Sequence, residues 1–179
     1  MAHYAATALK DHAHIQVEFV DLAQVDLRVY PRSENDPQTK VLRELFEESD
    51  AQIFVCPIHN WKPCASLSNY LEYVLDPKDG RRYRPFLILA AAGSPRSHLA
   101  CDGLARTVTS EIHGIQIGPP LLGAGDDINR RTGQITASLQ QRIDKALTIL
   151  VHHTIAAQAL TKELYETCAN SNLAYANAG

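Results

Sequence analysis

The spacing of apolar and polar positions changes several times along the chain. Residues 14–20, His-Ile-Gln-Val-Glu-Phe-Val, alternate polar and apolar up to Phe19. That period predicts a half-buried strand, better suited to a sheet edge than to its centre. Residues 53–56 (Ile-Phe-Val-Cys) and 86–92 (Phe-Leu-Ile-Leu-Ala-Ala-Ala) are apolar throughout, the pattern of parallel strands covered on both faces. Elsewhere the period is helical. Asp36-Pro37 opens one helix, with Asp36 suited to the cap and Pro37 to the first position, and its stripe is Val41, Leu42, Leu45 and Phe46. A second helix over 65–75 carries Leu67, Leu71 and Val74. A third runs from the Gly93-Ser94-Pro95 break to about residue 111. A fourth starts at 134 with Leu139, Ile143, Leu147 and Leu150, and its pattern continues to Leu160 and Leu164. A short helix at 5–9, a short strand at 114–117, and connections at 21–36, 57–63, 76–84 and 121–133 complete the reading. Residues 170–179 form a small, polar tail expected to fray.

Strands alternating with helices, two of them buried on both faces, predict an α/β fold: an open parallel sheet with helices on both sides. Ligands of such sheets bind beyond the carboxyl ends of the strands. The loops there are 57–63 and 93–97, so functional residues are expected in them. The chain has 179 residues, enough for one domain spanning 1–179. With 45% hydrophobic and 21% charged residues it has the composition of a folded globular protein, not of a disordered one. Its formal net charge of -3 provides no basic footprint for nucleic acid. No apolar run reaches the ~20 residues of a membrane span, and the N-terminus has no secretory signal pattern. Cys56, Cys64, Cys101 and Cys168 fit neither a zinc spacing nor a disulfide framework. Reduced thiols in the cytoplasm are expected.

Several motifs carry a bland reading. Gly123-Ala124-Gly125-Asp126-Asp127-Ile128 begins like a dinucleotide fingerprint, but Ile128 stands where the third glycine belongs, so it reads as a loop. His152 and His153 are neighbours on a helix and point about 100° apart, so they do not chelate one metal. No metal site is expected. Cys56 and Cys64 read as small core residues, and Trp61 as a stacking or interface residue.

The strand-end loops carry a resemblance. Cys56-Pro57-Ile58-His59-Asn60 follows a buried strand, and Leu67-Ser68-Asn69-Tyr70-Leu71-Glu72-Tyr73 lies on the next helix. In residue types and in the interval from Asn60 to Asn69, this resembles the NADPH-dependent FMN reductase family, a flavodoxin-like group. Pro57, Asn60, Leu67 and Asn69 match its pattern. Residues 17–22, Gly93-Ser94, and 129–133 ahead of the last helix extend the likeness to about Val151. The departures are His59 for a tyrosine, Ser68 for a lysine, and Trp61-Lys62-Pro63-Cys64 for a glycine-rich stretch. The family also opens with a strand and a Gly-Ser-x-Arg loop that cradles the FMN phosphate. Against that pattern the given sequence is expected to open inside the helix that follows, with the N-terminal strand and phosphate loop missing, the slot being left to a start upstream of Met1, a slid strand or a partner chain. Without that strand, 14–20 is expected to have no neighbour and 53–56 to lose one.

The resemblance implies a flavodoxin-like oxidoreductase using FMN and NADPH. Hydride would pass to a small-molecule acceptor: a quinone, azo compound, metal ion or free flavin. It implies that Pro57, Ile58, His59 and Asn60 lie along the flavin ring, and that Gly93, Ser94 and Arg96 bound the opposite side. The flavin does the chemistry, so no dedicated catalytic residue is implied. The alternative is a flavodoxin-like scaffold that has lost FMN and serves as a binding or structural protein. A homo-oligomer is also expected. Leu67, Tyr70, Leu71, Tyr73 and Val74 spread too widely for one core stripe, and the last helix runs on past the point where the family resemblance ends.

Overall fold

The all-apolar run at 86–92 becomes the central strand of the sheet, with side chains buried on both faces. A computed structural model describes residues 1–11, 14–75 and 84–176, with backbone only at 112 and 161–176. The elements are α1 (Ala2–Lys10), α2 (Pro37–Glu48), β1 (Gln52–His59), β2 (Lys62–Pro63), α3 (Ala65–Val74), β3 (Pro85–Ala92), a 3-10 turn (Pro95–Cys101), α4 (Asp102–Ile112), β4 (Ile115–Gln116), β5 (Leu121–Ala124), a second 3-10 turn (Gly125–Asp127) and α5 (Ala137–Ala176). Strand β3 pairs in parallel with β1 on one side and with β4 and then β5 on the other. This is the mixed α/β, mostly parallel sheet expected, with helices on both faces. The connection at 76–83 lies outside the described residues.

Alternation along β3 divides the core. Phe86, Ile88 and Ala90 join the layer under α2, α3 and α4, whereas Leu87 and Leu89 join the layer under α1 and α5. Each large apolar side chain so enclosed contributes about 1.5–3 kcal/mol of transfer energy. Helix α1 is further tied to α5 where the Tyr4 hydroxyl donates to the Asp144 carboxylate at 2.9 Å. At the other edge, Arg84 is buried and donates to the carbonyls of Phe46, at 2.6 Å, and Glu47.

Four expectations are corrected. Residues 15–20 run unpaired and make no strand. Ile15 and Val17 pack on the α1–α5 layer and Val20 on the opposite one. Alternation fixes which side chains are covered, but a strand also needs a neighbour. Among the described residues the outer edge of β1 has none over 52–57. Second, 57–63 is no open loop. Strand β1 continues to His59 and folds back through Asn60 and Trp61 into β2. Third, 121–124 is strand β5, and Gly123 fits there because a Cβ would lie 2.7 Å from Leu139 Cδ2 and 3.1 Å from Ile128 Cδ1. Fourth, Val41 faces solvent and Thr39 is buried in its place on α2.

Helix α3 buries all five of Leu67, Tyr70, Leu71, Tyr73 and Val74 within the chain itself. Its second face is covered by the segment that starts at residue 20, from which Val20, Leu22, Val25 and Leu27 pack against the same core. The Tyr73 hydroxyl accepts from Ser33 N at 2.9 Å and donates to Arg28 O at 3.0 Å. The spread of apolar positions on α3 therefore does not call for a partner. Helix α5 starts later than expected, at Ala137, where Thr136 Oγ1 accepts from Leu139 N at 3.3 Å. Leu139, Ile143, Leu147 and Leu150 are buried, but Ile155 and Leu160 are each 60% exposed. Its backbone stays helical through Ala176, into the stretch expected to fray.

Candidate functional site

Three parallel strands end side by side. Pro57 of β1 pairs with Ala91 of β3, and Ala92 of β3 pairs with Ala124 of β5. The segments that leave them, at His59-Asn60, Gly93-Ser94 and Gly125-Asp126, therefore start next to one another. The 3-10 turn after Gly93 touches β2 on one flank and β5 on the other, closing the row. The two loops marked in the sequence are thus brought together.

The residues expected there differ in what they present. Pro57, His59 and Asn60 are exposed; Ile58 is 8% exposed, with its side chain in the core. Gly93 and Arg96 are exposed and Ser94 half-buried. Ser94 Oγ accepts from Arg96 N at 3.2 Å, which fixes the start of the turn. Asn60 and Trp61 have φ of 48° and 63°. Two left-handed residues between antiparallel strands form the hairpin turn in which asparagine and then glycine are favoured. Asn60 suits its place. Trp61 stands where glycine is preferred, at a cost of about 1–2 kcal/mol. It is 57% exposed, so burial does not offset that cost. Such strain gathers at functional positions.

Sequence reasoning missed Arg130. It comes from the loop before α5, and its Nη2 would lie 3.3 Å from a Cβ on Gly93. A glycine leaves room for the guanidinium. Arg130 also lines an open pocket of about 620 Å³ with Gly125, Asn129 and Thr136. Asn129 holds the turn of this loop, its Oδ1 accepting from the backbone of Arg131 at 3.0 Å and Thr132 at 3.1 Å. The family likeness at 129–133 touched this region, but nothing in the sequence placed it beside Gly93. The start of α1 reaches the same end, because Met1 Sδ also lies 3.1 Å from the Cβ position of Gly123. Helix α1 has no side-chain cap, and burial lowers the pKa of the Met1 amine.

Asn69 has another role. Its side chain accepts from Tyr30 N at 2.9 Å and donates to Arg28 O at 2.9 Å, pinning the 25–33 segment to α3. That part of the motif is structural. Among the described residues no cluster fits a metal ion, and no helix is long and apolar enough to cross a membrane.

Open parallel strands with a row of loops at their carboxyl ends define a flavodoxin-like protein. A sequence model described as NADPH-dependent FMN reductase matches residues 1–127, and the chain belongs to that family of flavin-dependent oxidoreductases. No curated protein matches. Among solved structures it is similar to an NADH:FMN oxidoreductase, EMOB, in its apo form. The TM-score there is 0.67 at 16% identity, covering 86% of this chain and 79% of that one. It is also similar to an oxidoreductase from Corynebacterium diphtheriae (TM-score 0.62, 16% identity, 86% and 84% covered). A third likeness is to general stress protein 14 from Treponema denticola, in complex with FMN (TM-score 0.54, 14% identity, 87% and 90% covered).

Proposed function

We propose that this chain binds FMN at the row of strand ends and, with NADPH or NADH as donor, reduces a small-molecule acceptor. The observation that carries the reading is the convergence of the β1, β3 and β5 ends in a chain of this family. The groups present suit FMN. The exposed side chains of His59 and Asn60 offer donors and acceptors to the polar edge of a planar ring. Gly93 and Ser94 bound its other side without bulk, and Trp61 offers a flat apolar face. The uncapped first turn of α1 and the cations Arg96 and Arg130 suit a phosphate.

Bound FMN supplies the hydride-accepting and hydride-donating chemistry. The chain orients and shields. A nicotinamide nucleotide carries phosphates that the exposed Arg96 and Lys62 are placed to attract. Quinones, azo compounds, metal ions and free flavins are the acceptors we favour, in a cytoplasmic setting. The exposed Ile149, Ile155 and Leu160 of α5 support a homo-oligomer formed through that helix.

Anaerobic addition of NADPH or NADH to the FMN-loaded chain tests the reaction. Bleaching of the visible flavin band, restored by a quinone, is the expected result. A protein that holds FMN but is never bleached by either nucleotide would remove the enzyme reading. One that rejects FMN would leave the scaffold.

A further inference from the structure

The hairpin between β1 and β2 holds one side chain that the fold does not account for. Pro57 of β1 pairs with Ala91 of β3, and β1 then runs on through Ile58 and His59 before the chain turns at Asn60 and Trp61. Two residues of strand carry the tip about 7 Å past that pairing. The returning strand β2 touches the 3-10 turn that follows Gly93-Ser94. Trp61 therefore stands at the lip of the row of strand ends. It is 57% exposed, and its φ of 63° is unfavourable for a large side chain. Among the described residues its indole N–H makes no hydrogen bond and its ring stacks on no other ring. Leu99, on the 3-10 turn, is likewise 58% exposed, so large apolar side chains stand uncovered on both elements.

An exposed tryptophan by itself calls for nothing. This one occupies a turn that glycine fills with less strain, and neither burial nor a hydrogen bond offsets the difference. We infer that Trp61 selects the electron acceptor: its indole lies flat against an aromatic acceptor and so favours a quinone over a compact metal complex. The inference rests on the proposed flavin site, because the acceptor has to reach the reduced flavin over this lip. Offset-stacked rings attract one another beyond the area they bury. A compact ion has no face to stack. Charge does not make the choice, since Lys62 and Arg96 attract anions of either shape.

Both kinds of acceptor draw on the same donor. One NADPH and one proton convert a quinone to its hydroquinone, with two electrons transferred. One NADPH converts two ferricyanide ions to ferrocyanide, one electron each, and releases a proton. The donor half of turnover is common to both, so a difference between them belongs to the acceptor half.

The test measures initial rates of the FMN-saturated full chain with naphthoquinone and with ferricyanide. Trp61→Gly suits the turn and removes the ring, whereas Trp61→Phe keeps a flat face. In Trp61→Gly the KM for naphthoquinone should rise about fivefold or more, and Trp61→Phe should restore most of it. The KM for ferricyanide should stay within about twofold in both variants. Equal shifts for the two acceptors, or none for the quinone, would overturn the inference. Trp61 is the only tryptophan of the chain, which gives a second readout free of turnover. In the absence of donor, naphthoquinone should quench its fluorescence saturably. Quenching that rises without saturation, as for free tryptophan, would also overturn the inference. A chain that neither NADPH nor NADH reduces fails at the proposed function instead, and the quenching curve then still decides whether Trp61 holds a flat aromatic compound.

Discussion

Replacing Tyr73 by phenylalanine removes one oxygen from the most enclosed contact between α3 and the 25–33 segment. Tyr73 and Ser33 are both 0% exposed. The hydroxyl accepts from Ser33 N and donates to Arg28 O. Phenylalanine keeps the ring, including its edge-on contact with Tyr30 at 5.2 Å between centroids, so little apolar packing changes. What changes is that a buried N–H loses its acceptor and a carbonyl loses a donor. An unsatisfied buried donor costs about 1–3 kcal/mol. The carbonyl adds less, because Asn69 Nδ2 also bonds Arg28 O. The expected loss is about 2 kcal/mol, and at about 2–4 °C per kcal/mol for a chain of this size the melting temperature falls by about 4–8 °C. Urea titration followed by far-UV circular dichroism measures the midpoint, and an unchanged slope shows that the same surface unfolds. If Tyr73→Phe lies within a few tenths of a kcal/mol of the wild type, the 25–33 segment does not cover α3. The apolar spread of that helix would then again call for a partner.

Trp61→Gly relieves a left-handed tryptophan and loses little buried surface. The protein should become more stable by up to about 1 kcal/mol while binding FMN less tightly, measured by thermal melts and flavin titration. Gly123→Ala drives a methyl to within 2.7 Å of Leu139 Cδ2 on a fully buried side chain, and should cost about 1–3 kcal/mol in the same melts. Burial pushes the pKa of Tyr70 up to about 12 from the ordinary 10.0. The unfolded chain then releases the proton first, and the folded state binds more protons between those values. Stability should fall as pH rises from about 10 to 12, by about 2–3 kcal/mol in all. Tyr70→Phe should flatten that limb of the stability-against-pH curve. Light scattering at micromolar concentration should give a multiple of the 19.8 kDa chain mass. Replacing Ile155 and Leu160 by glutamate should return the mass to that of a single chain.

What could be read from the sequence was what lies along one element. The unbroken apolar run of β3 specified a strand buried on both faces, and Asp36-Pro37 specified where α2 begins. The helical period also placed Leu139 through Leu150 against the sheet. What failed depended on neighbours. The alternation at 14–20 described which side chains are covered, but it could not supply the strand that would pair with them. The apolar spread of α3 looked like an interface because the residues that cover it lie about 40 positions earlier. Half of the family motif proved structural for the same reason: Asn69 holds Tyr30 and Arg28 in place. The loops at Asn60 and Gly93 were legible because an open parallel sheet places its strand ends together. Arg130 was not, because only the folded chain brings the loop before α5 back to Gly93.

The account's central claim is that the row of strand ends holds FMN. Titrating FMN into the full chain while following flavin fluorescence measures this directly. Saturable quenching at one flavin per chain, weakened at least severalfold in an Arg96→Ala, Arg130→Ala double variant that melts like the wild type, is the predicted result. Absence of saturable quenching, or equal affinity in the double variant, would contradict it.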